Sequence, residues 1–380
     1  MPAASETELA LSEQLTSHIQ QEIDATGPID FARFMELALY TPGLGYYAGG
    51  REKIGERGDF ITAPEVSPLF GRCLARQVRQ ILEVIEDGTV LEVGAGTGAL
   101  AVSMLNELEA LHSLPARYAI LDTSGSLQTR QQEILQQTLP DLAKRVEWWQ
   151  ALPESGFKGI IIANEVLDAM PAQRFKIGEQ DIKTLQVDYN DKGFHWSSRI
   201  ADKDITQRIA TSDLPAGYIS EINLTAEAWV RSIADCMEQG IALLIDYGYP
   251  QHEYYLPQRN TGTLKCFYRH RTHEDPFYLP GQQDITTSVN FTAMAEAAHE
   301  TGLSVLGYTS QAEFLLSLGL DAMAAEIDTS DTRAYLARTQ EIKKLTLPHE
   351  MGELFKVLAI GKEIDEALLG FMLRDRRGRL

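Results

Sequence analysis

The sequence predicts an α/β fold built on a parallel sheet, and three observations predict it. Short apolar runs at Thr89–Val93, Arg117–Leu121, Arg145–Trp149, Gly159–Ala163 and Ile241–Asp246 alternate with helical stretches, the pattern of strands joined by crossover helices. A glycine-rich turn, Gly94–Gly98, lies between the first of these strands and the helix after it. The strands end on polar residues (Asp122, Asn164-Glu165, Asp246), where open α/β sheets hold their ligands.

Taken in order, Leu11, Leu15, Ile19 and Ile23 recur every fourth position, so residues 9–40 predict a helix, which Gly27-Pro28 breaks before a second stripe of Phe31, Phe34, Met35 and Leu39. Tyr40–Pro68 is rich in Gly, Pro and Tyr and has little periodicity; a stretch of this kind reads as an ordered functional loop. A helix resumes near Leu69 and runs to about Ile85. The α/β alternation then begins, with helices over Ala99–Leu111 and Leu127–Thr138. Gln173–Ile200 changes to apolar/polar alternation across Gly178-Glu179 and Asn190–Gly193, an inserted antiparallel ribbon. Thr225–Glu238 predicts a helix capped by Thr225. Residues 250–290 read as irregular, Phe291–Glu300 as a helix, Leu303–Tyr308 as a strand, Gln311–Lys344 as two or three helices and Phe355–Ile360 as a last strand. Arg374–Leu380 reads as a mobile basic tail. The expected organisation is N-terminal helices and a covering loop over 1–85, a nucleoside-binding core over 86–172, the ribbon over 173–220, core again over 221–249, a substrate-side insertion over 250–290, the end of the core over 291–362 and a tail over 363–380.

Composition narrows the partners. Lys plus Arg number 34 and Asp plus Glu 54, a net charge of −20, which disfavours sequence-blind binding to nucleic acid or to anionic lipid. Cys73, Cys236 and Cys266 are odd in number, far apart and at no metal spacing, so neither a disulfide framework nor a metal centre is expected. No Lys or Arg precedes Arg33, and the longest apolar runs are far too short to span a bilayer. A cytoplasmic protein is expected. The short basic run Arg269-His270-Arg271 with His273 is read as pairing with the protein's own acids or as part of a substrate groove.

The chemistry centres on Val90–Ala99. Between strand and helix, glycines let the chain turn tightly and approach a ligand without side chains in the way. Gly94-x-Gly96-x-x-Ala99 satisfies the loose dinucleotide fingerprint, in which a pyrophosphate rests on the helix N-terminus. Two features favour another nucleoside. Glu92 sets a carboxylate two residues before the first glycine, where a pyrophosphate would be repelled, and Gly98 makes the turn Gly-x-Gly-x-Gly. S-adenosylmethionine has no phosphate and carries an ammonium and a sulfonium. Asp122, at the end of the second strand, is expected to accept from ribose hydroxyls in either cofactor, its alternative reading being a helix N-terminal cap. Asn164, Glu165 and Asp168 follow the fourth core strand, and their alternative reading is loop capping.

Beyond these local signals, Gly58-Asp59-Phe60-Ile61-Thr62-Ala63-Pro64-Glu65-Val66-Ser67 resembles the signature of the MidA-like methyltransferase family. Asn164-Glu165-Val166-Leu167-Asp168-Ala169-Met170-Pro171, Gly262-Thr263-Leu264 with Tyr268-Arg269-His270-Arg271, Glu313-Phe314-Leu315-Leu316 and Met351-Gly352-Glu353-Leu354-Phe355-Lys356-Val357 resemble it too, over about residues 12–362. The resemblance implies a class I methyltransferase fold, Rossmann-like, with a seven-stranded sheet whose last strand is antiparallel. It implies S-adenosyl-L-methionine as cofactor and a protein substrate, since the family includes a mitochondrial assembly factor of respiratory complex I that symmetrically dimethylates an arginine. The turn here reads Gly-Ala-Gly-Thr-Gly where the mitochondrial forms tend towards Gly-Pro-Gly-Arg-Gly.

The expected enzyme is a methyltransferase acting on a protein arginine. Glu92, Gly94, Gly96, Gly98, Asp122 and Asn164 are the expected cofactor residues. Glu165 and Asp168 are expected to hold the acceptor, with Asp59 and Glu65 on a loop folded over the cofactor; Glu221 and Asp246 are weaker candidates. A small-molecule methyltransferase, a cofactor-binding assembly chaperone without catalysis and, least, a NAD-linked oxidoreductase are the rivals. A homodimer is among the arrangements that the N-terminal helices would allow.

Overall fold

Seven of the eight strands of the sheet form the continuous path that the alternation predicts. They are β1 (Thr89–Val93), β2 (Arg117–Leu121), β3 (Val146–Trp149), β4 (Phe157–Asn164), β5 (Met237–Tyr249), β6 (Ser304–Ser310) and β7 (Phe355–Lys362). The computed structural model describes residues 1–49, 61–209, 213–326 and 330–380. Its contacts divide the chain into two units: Met1–Phe60, Asp168–Ala228 and Tyr249–Asn290 form one, and Ile61–Leu167, Trp229–Gly248 and Phe291–Leu380 form the other, the core unit.

In the core unit the strands follow one another as β6-β7-β5-β4-β1-β2-β3. The pairs from β5 through β3 are parallel, and β7 runs antiparallel to both β5 and β6. This is the class I methyltransferase arrangement with its reversed last strand. Register brings the strand ends level: Val93 pairs with Leu121 on one side and Ala163 on the other, and Asn164 pairs with Ile245. The glycine turn, Asp122, Asn164-Glu165 and Asp246 therefore leave one carboxyl edge, on either side of the β1/β4 junction where the strand order reverses.

Burial explains why these runs become strands. Every residue of β1 is buried, and Val90, Ile120, Ile160, Ile162, Leu243, Ile245 and Val357 share one apolar core. A fully buried side chain of this kind stabilises the fold by about 1.5–3 kcal/mol. Helices α1 (Pro68–Val84) and α2 (Ala99–Ala110) supply Leu74, Val78, Leu100 and Met104 to the same core. They approach so closely that a Cβ on Gly71 would meet Ser103 Oγ at 1.9 Å. The basic C-terminus belongs to this core and is not mobile: Arg376 donates to both carboxylate oxygens of Glu353, and Arg377 donates to Asp375 and to the Val305 carbonyl. Guanidinium–carboxylate pairs with two parallel hydrogen bonds fix what composition alone marks as a loose end.

In the other unit, the helix Glu6–Thr26 starts at a capping box, Ser5 and Glu8 exchanging hydrogen bonds, and the helix Phe31–Tyr40 follows. The predicted ribbon is part of a five-stranded sheet in which Ile29–Asp30 and Ile219–Ile222 flank the strands Ile182–Asn190 and Gln173–Ile177, with Gly193–Ile200 paired to Ile182–Asn190. The stretch read as irregular holds a second sheet, Arg271–His273, Lys265–Tyr268 and Asp284–Thr286. Strands this short, in polar sequence, leave no period-two pattern to detect. Asn223, not Thr225, caps the next helix: its Oδ1 accepts from Ala226 N at 2.9 Å, while the Thr225 hydroxyl donates to the Pro171 carbonyl.

Candidate functional site

The turn after β1 holds three glycines in the left-handed region, with φ of 66°, 54° and 89° at Gly94, Gly96 and Gly98. Only glycine adopts this conformation without strain at successive bends. Gly94 N donates to the Leu121 carbonyl at 2.8 Å, which ties the turn to the end of β2, and Gly98 forms the N-terminal cap of α2. Glu92 and Asp122 are 2% and 7% exposed. Tyr118 OH donates to Glu92 at 2.5 Å. Burial pushes the Glu92 carboxyl up to about 7, against the lowering effect of the Tyr118 bond and with a further rise from Asp122. Burial also raises the Asp122 carboxyl, while hydrogen bonds from Ser124 N and Gln131 pull it down. Two buried acids with raised proton affinity beside an open turn suit a ligand that brings hydroxyl donors and positive charge, and resist one that brings phosphate.

At the end of β4 the backbone itself is strained. Glu165 has φ of 55°, unusual for a residue with a side chain, and its N–H donates to the Ile245 carbonyl at 2.9 Å. Its Oε1 accepts from Ala63 N at 3.3 Å and from Asn164 Nδ2 at 3.1 Å. The buried Asn164 Oδ1 has no hydrogen-bond partner. An orphaned buried acceptor at a strand end is what a ligand's ammonium or N–H group would satisfy. Helix Ala63–Val66 bridges the two edges: Ala63 N reaches Glu165, and Glu65 Oε1 accepts from the Thr97 hydroxyl within the glycine turn. Thus Glu65, Glu92, Gly94, Gly96, Gly98, Asp122, Asn164 and Glu165 all lie along one carboxyl edge of the core unit.

The remaining candidates are placed differently. Asp59 lies outside the described residues. Asp168 is buried in the other unit, where its carbonyl accepts from Thr287 N at 3.0 Å. Glu221 is buried in that unit as well, accepting from Thr263 N, Thr263 Oγ1 and Arg174, and these bonds give it a structural role. Asp246 accepts from Tyr247 N and Leu167 N at 2.8 and 3.0 Å, so it caps its own turn and holds the segment after Glu165. Arg269 pairs with Glu8 at 2.7 Å, the internal pairing expected of the basic run.

Residues that the sequence did not single out complete the cofactor edge. Gln131, fully buried, donates to Asp122 Oδ2 at 2.8 Å and to the Gly96 carbonyl at 3.0 Å, and accepts from Trp148 Nε1 at 3.0 Å. Its signal was a polar residue on a helical stripe with Leu127 and Leu135, where an apolar one belongs. Tyr118 and Thr97 gave no comparable signal.

Comparison with known proteins resolves the choice of cofactor. The profile of a family of S-adenosyl-L-methionine-dependent methyltransferases matches residues 71–309. A protein from Burkholderia thailandensis, solved with S-adenosyl-homocysteine bound, superposes with a TM-score of 0.97 at 45% identity, covering 100% of both chains. The Danio rerio protein named "Protein arginine methyltransferase NDUFAF7, mitochondrial" is 28% identical over 392 residues, 92% of this chain and 87% of its own. The Homo sapiens protein of the same name is 26% identical, over 90% and 82%. The MidA-like resemblance and the S-adenosyl-L-methionine cofactor are borne out. The expected cytoplasmic location is overturned, because these relatives, and the Drosophila melanogaster one, are named as mitochondrial proteins. Acidity and short apolar runs report how a chain meets water, and every aqueous compartment offers that, so they carry no address.

Proposed function

The chain belongs to this family of S-adenosyl-L-methionine-dependent methyltransferases, and from that premise we propose that it methylates an arginine side chain of a protein. The observation that carries the acceptor is the alignment, over nine-tenths of the chain, to proteins named arginine methyltransferases. The strained Glu165 gives that reading a chemical group. The cofactor, when bound, supplies a methyl group already activated by its sulfonium. What remains for the protein is alignment, which supplies roughly 7–11 kcal/mol in well-oriented reactions, and management of the acceptor's proton.

In this reading the glycine turn admits the cofactor's backbone-close portion, Asp122 receives ribose hydroxyls, Glu92 favours its positive charge and Asn164 Oδ1 accepts from its ammonium. A guanidinium is protonated at every ordinary pH, with a pKa above about 12. Its nitrogen becomes a nucleophile only as a carboxylate orients it and accepts its proton. Glu165 takes that role, its backbone conformation holding the carboxylate at the edge while Ala63 N and Asn164 Nδ2 orient it through Oε1. Glu65, which accepts from Thr97 in the glycine turn, lies on the segment beside the cofactor.

The test is transfer of label from methyl-labelled S-adenosyl-L-methionine to arginine-containing proteins, followed by hydrolysis and amino-acid analysis. Labelled methylarginine with wild type, and its loss with Glu165→Gln, is the expected result. Label confined to small molecules, or to residues other than arginine, would overturn the arginine assignment.

A further inference from the structure

The one-turn helix Ala63–Val66 touches both halves of the carboxyl edge, and every residue involved belongs to the core unit. From its third residue, Glu65 Oε1 accepts from the Thr97 hydroxyl inside the glycine turn. From its first, Ala63 N donates to Glu165 Oε1 at 3.3 Å. The two edges also abut directly, since a Cβ on Gly94 would meet Val166 Cγ2 at 3.0 Å.

A helix of four residues has no stability of its own, because nucleation costs more than its few bonds return. Its place is therefore set by what holds it. Glu65 N and Val66 N donate to the Thr62 carbonyl, both at 3.0 Å, and Ser67 N donates to the Ala63 carbonyl at 3.3 Å, so the turn is a regular unit. At its back, the Ser67 hydroxyl accepts from Leu69 N at 3.3 Å, which joins the turn to α1. Ala63 is fully buried, but apolar packing is non-directional. At its front, the bond from the buried Thr97 to the Glu65 carboxylate is directional and charge-assisted, and it fixes the helix against the glycine turn. Glu165 depends on such a reference. Its backbone has left the strand conformation, with φ of 55°, and the donors that orient its carboxylate include Asn164 Nδ2 from its own neighbour and Ala63 N from this helix.

We infer that Thr97 and Glu65 are positioning residues for the Glu165 carboxylate. The Thr97 hydroxyl holds Glu65, Glu65 holds the helix, and the helix presents Ala63 N to Glu165. This inference rests on the role given to Glu165 in the transfer reaction. It adds a second task to the glycine turn: the loop that admits the cofactor also sets the angle of the carboxylate that acts on the acceptor.

The experiment compares full-length wild type, Thr97→Val and Thr97→Ser. Amide hydrogen exchange is followed with S-adenosyl-homocysteine saturating, and methyl transfer is followed from labelled S-adenosyl-L-methionine to the acceptor that wild type labels. The Ala63 amide exchanges about ten-fold faster in Thr97→Val, while α2 exchanges as in wild type; Thr97→Ser, which keeps the hydroxyl, restores the protection. Thr97→Val lowers kcat about ten-fold and leaves KM for the cofactor within about three-fold. In a Glu165→Gln background the same substitution changes the rate by less than about two-fold, because the carboxylate it positions is gone. A residue that merely supports the fold would slow both backgrounds alike. Glu65→Met removes the acceptor from the other side and keeps the test open if Thr97→Val folds poorly. Wild-type exchange at Ala63 in these variants, or an equal loss of rate in both backgrounds, overturns the inference and leaves the arginine reading standing. Glu165→Gln that transfers at the wild-type rate removes the role of Glu165 and the inference with it. Label on a residue other than arginine, with the two backgrounds still unequal, overturns the arginine reading and supports the positioning. Exchange needs no acceptor, so a wild type that labels nothing still leaves the relay decided there.

Discussion

The two halves of the carboxyl edge solve different problems. At β1 and β2 the polar groups are drawn inwards: Glu92 is bonded to Tyr118, Asp122 to Ser124 N and Gln131, and Gln131 in turn to Gly96 and Trp148. At β4 the polar groups are left under tension: Glu165 is held in the left-handed region, and Asn164 Oδ1 is buried without a partner. A closed network gives a rigid, pre-shaped surface. A strained residue and an open acceptor mark where binding energy remains to be gained. The first arrangement suits recognition of a cofactor that is always the same; the second suits a group that must act during a reaction.

Substitutions can test that contrast. The largest effect is expected on the rigid side from Gly96→Val, since a β-branched residue at φ of 54° would break the turn. Binding of S-adenosyl-homocysteine should vanish in calorimetry while the protein still melts cooperatively. Retained binding would show that the turn is more pliant than its bonds suggest. On the strained side, Glu165→Gln should lower the methyl-transfer rate by about 10²–10⁴-fold and leave cofactor affinity within a few-fold. An equal fall in affinity would erase the distinction between the two halves.

A third test follows from the Glu92 carboxyl, raised to about 7 by burial. Because its folded value exceeds its unfolded value, the unfolded chain releases this proton first. The stability this group contributes is full below about pH 4.5 and is lost as pH rises to about 7, a change of up to about 3 kcal/mol. The melting temperature of cofactor-free wild type should carry a downward contribution across that window, and Glu92→Gln should remove it; identical profiles would refute the buried, proton-poised state. The smallest effect is expected from Gln131→Leu. It leaves Asp122 Oδ2, the Gly96 carbonyl and Trp148 Nε1 short of a partner, and should weaken S-adenosyl-homocysteine about ten-fold. An unchanged affinity would mean that Asp122 needs no support to receive the ribose.

The rigid half was the more legible one. Glycine spacing, an acid before the turn and an acid at the next strand end are local in sequence, and the local backbone rules that make them necessary act over a few residues. Gln131 was harder to see because its partners are 9, 17 and 35 positions away. The strained half was legible only as a row of polar residues. That Glu165 takes positive φ, and Asp246 is spent on capping, depends on the register of β4 against β5.

By itself the sequence determined the α/β alternation, the glycine turn and the run of polar strand ends, because hydrophobic periodicity and glycine's conformational freedom are properties of neighbouring residues. Tertiary structure decided the rest. Pairing of short strands made a sheet of the stretch 250–290, the two-bond Arg376–Glu353 pair anchored the C-terminus, and packing gave Asp246 and Glu221 their roles as acceptors for backbone N–H groups. Each of these outcomes depends on which distant groups share a buried space, where an unmatched polar atom costs free energy and a matched one specifies the arrangement.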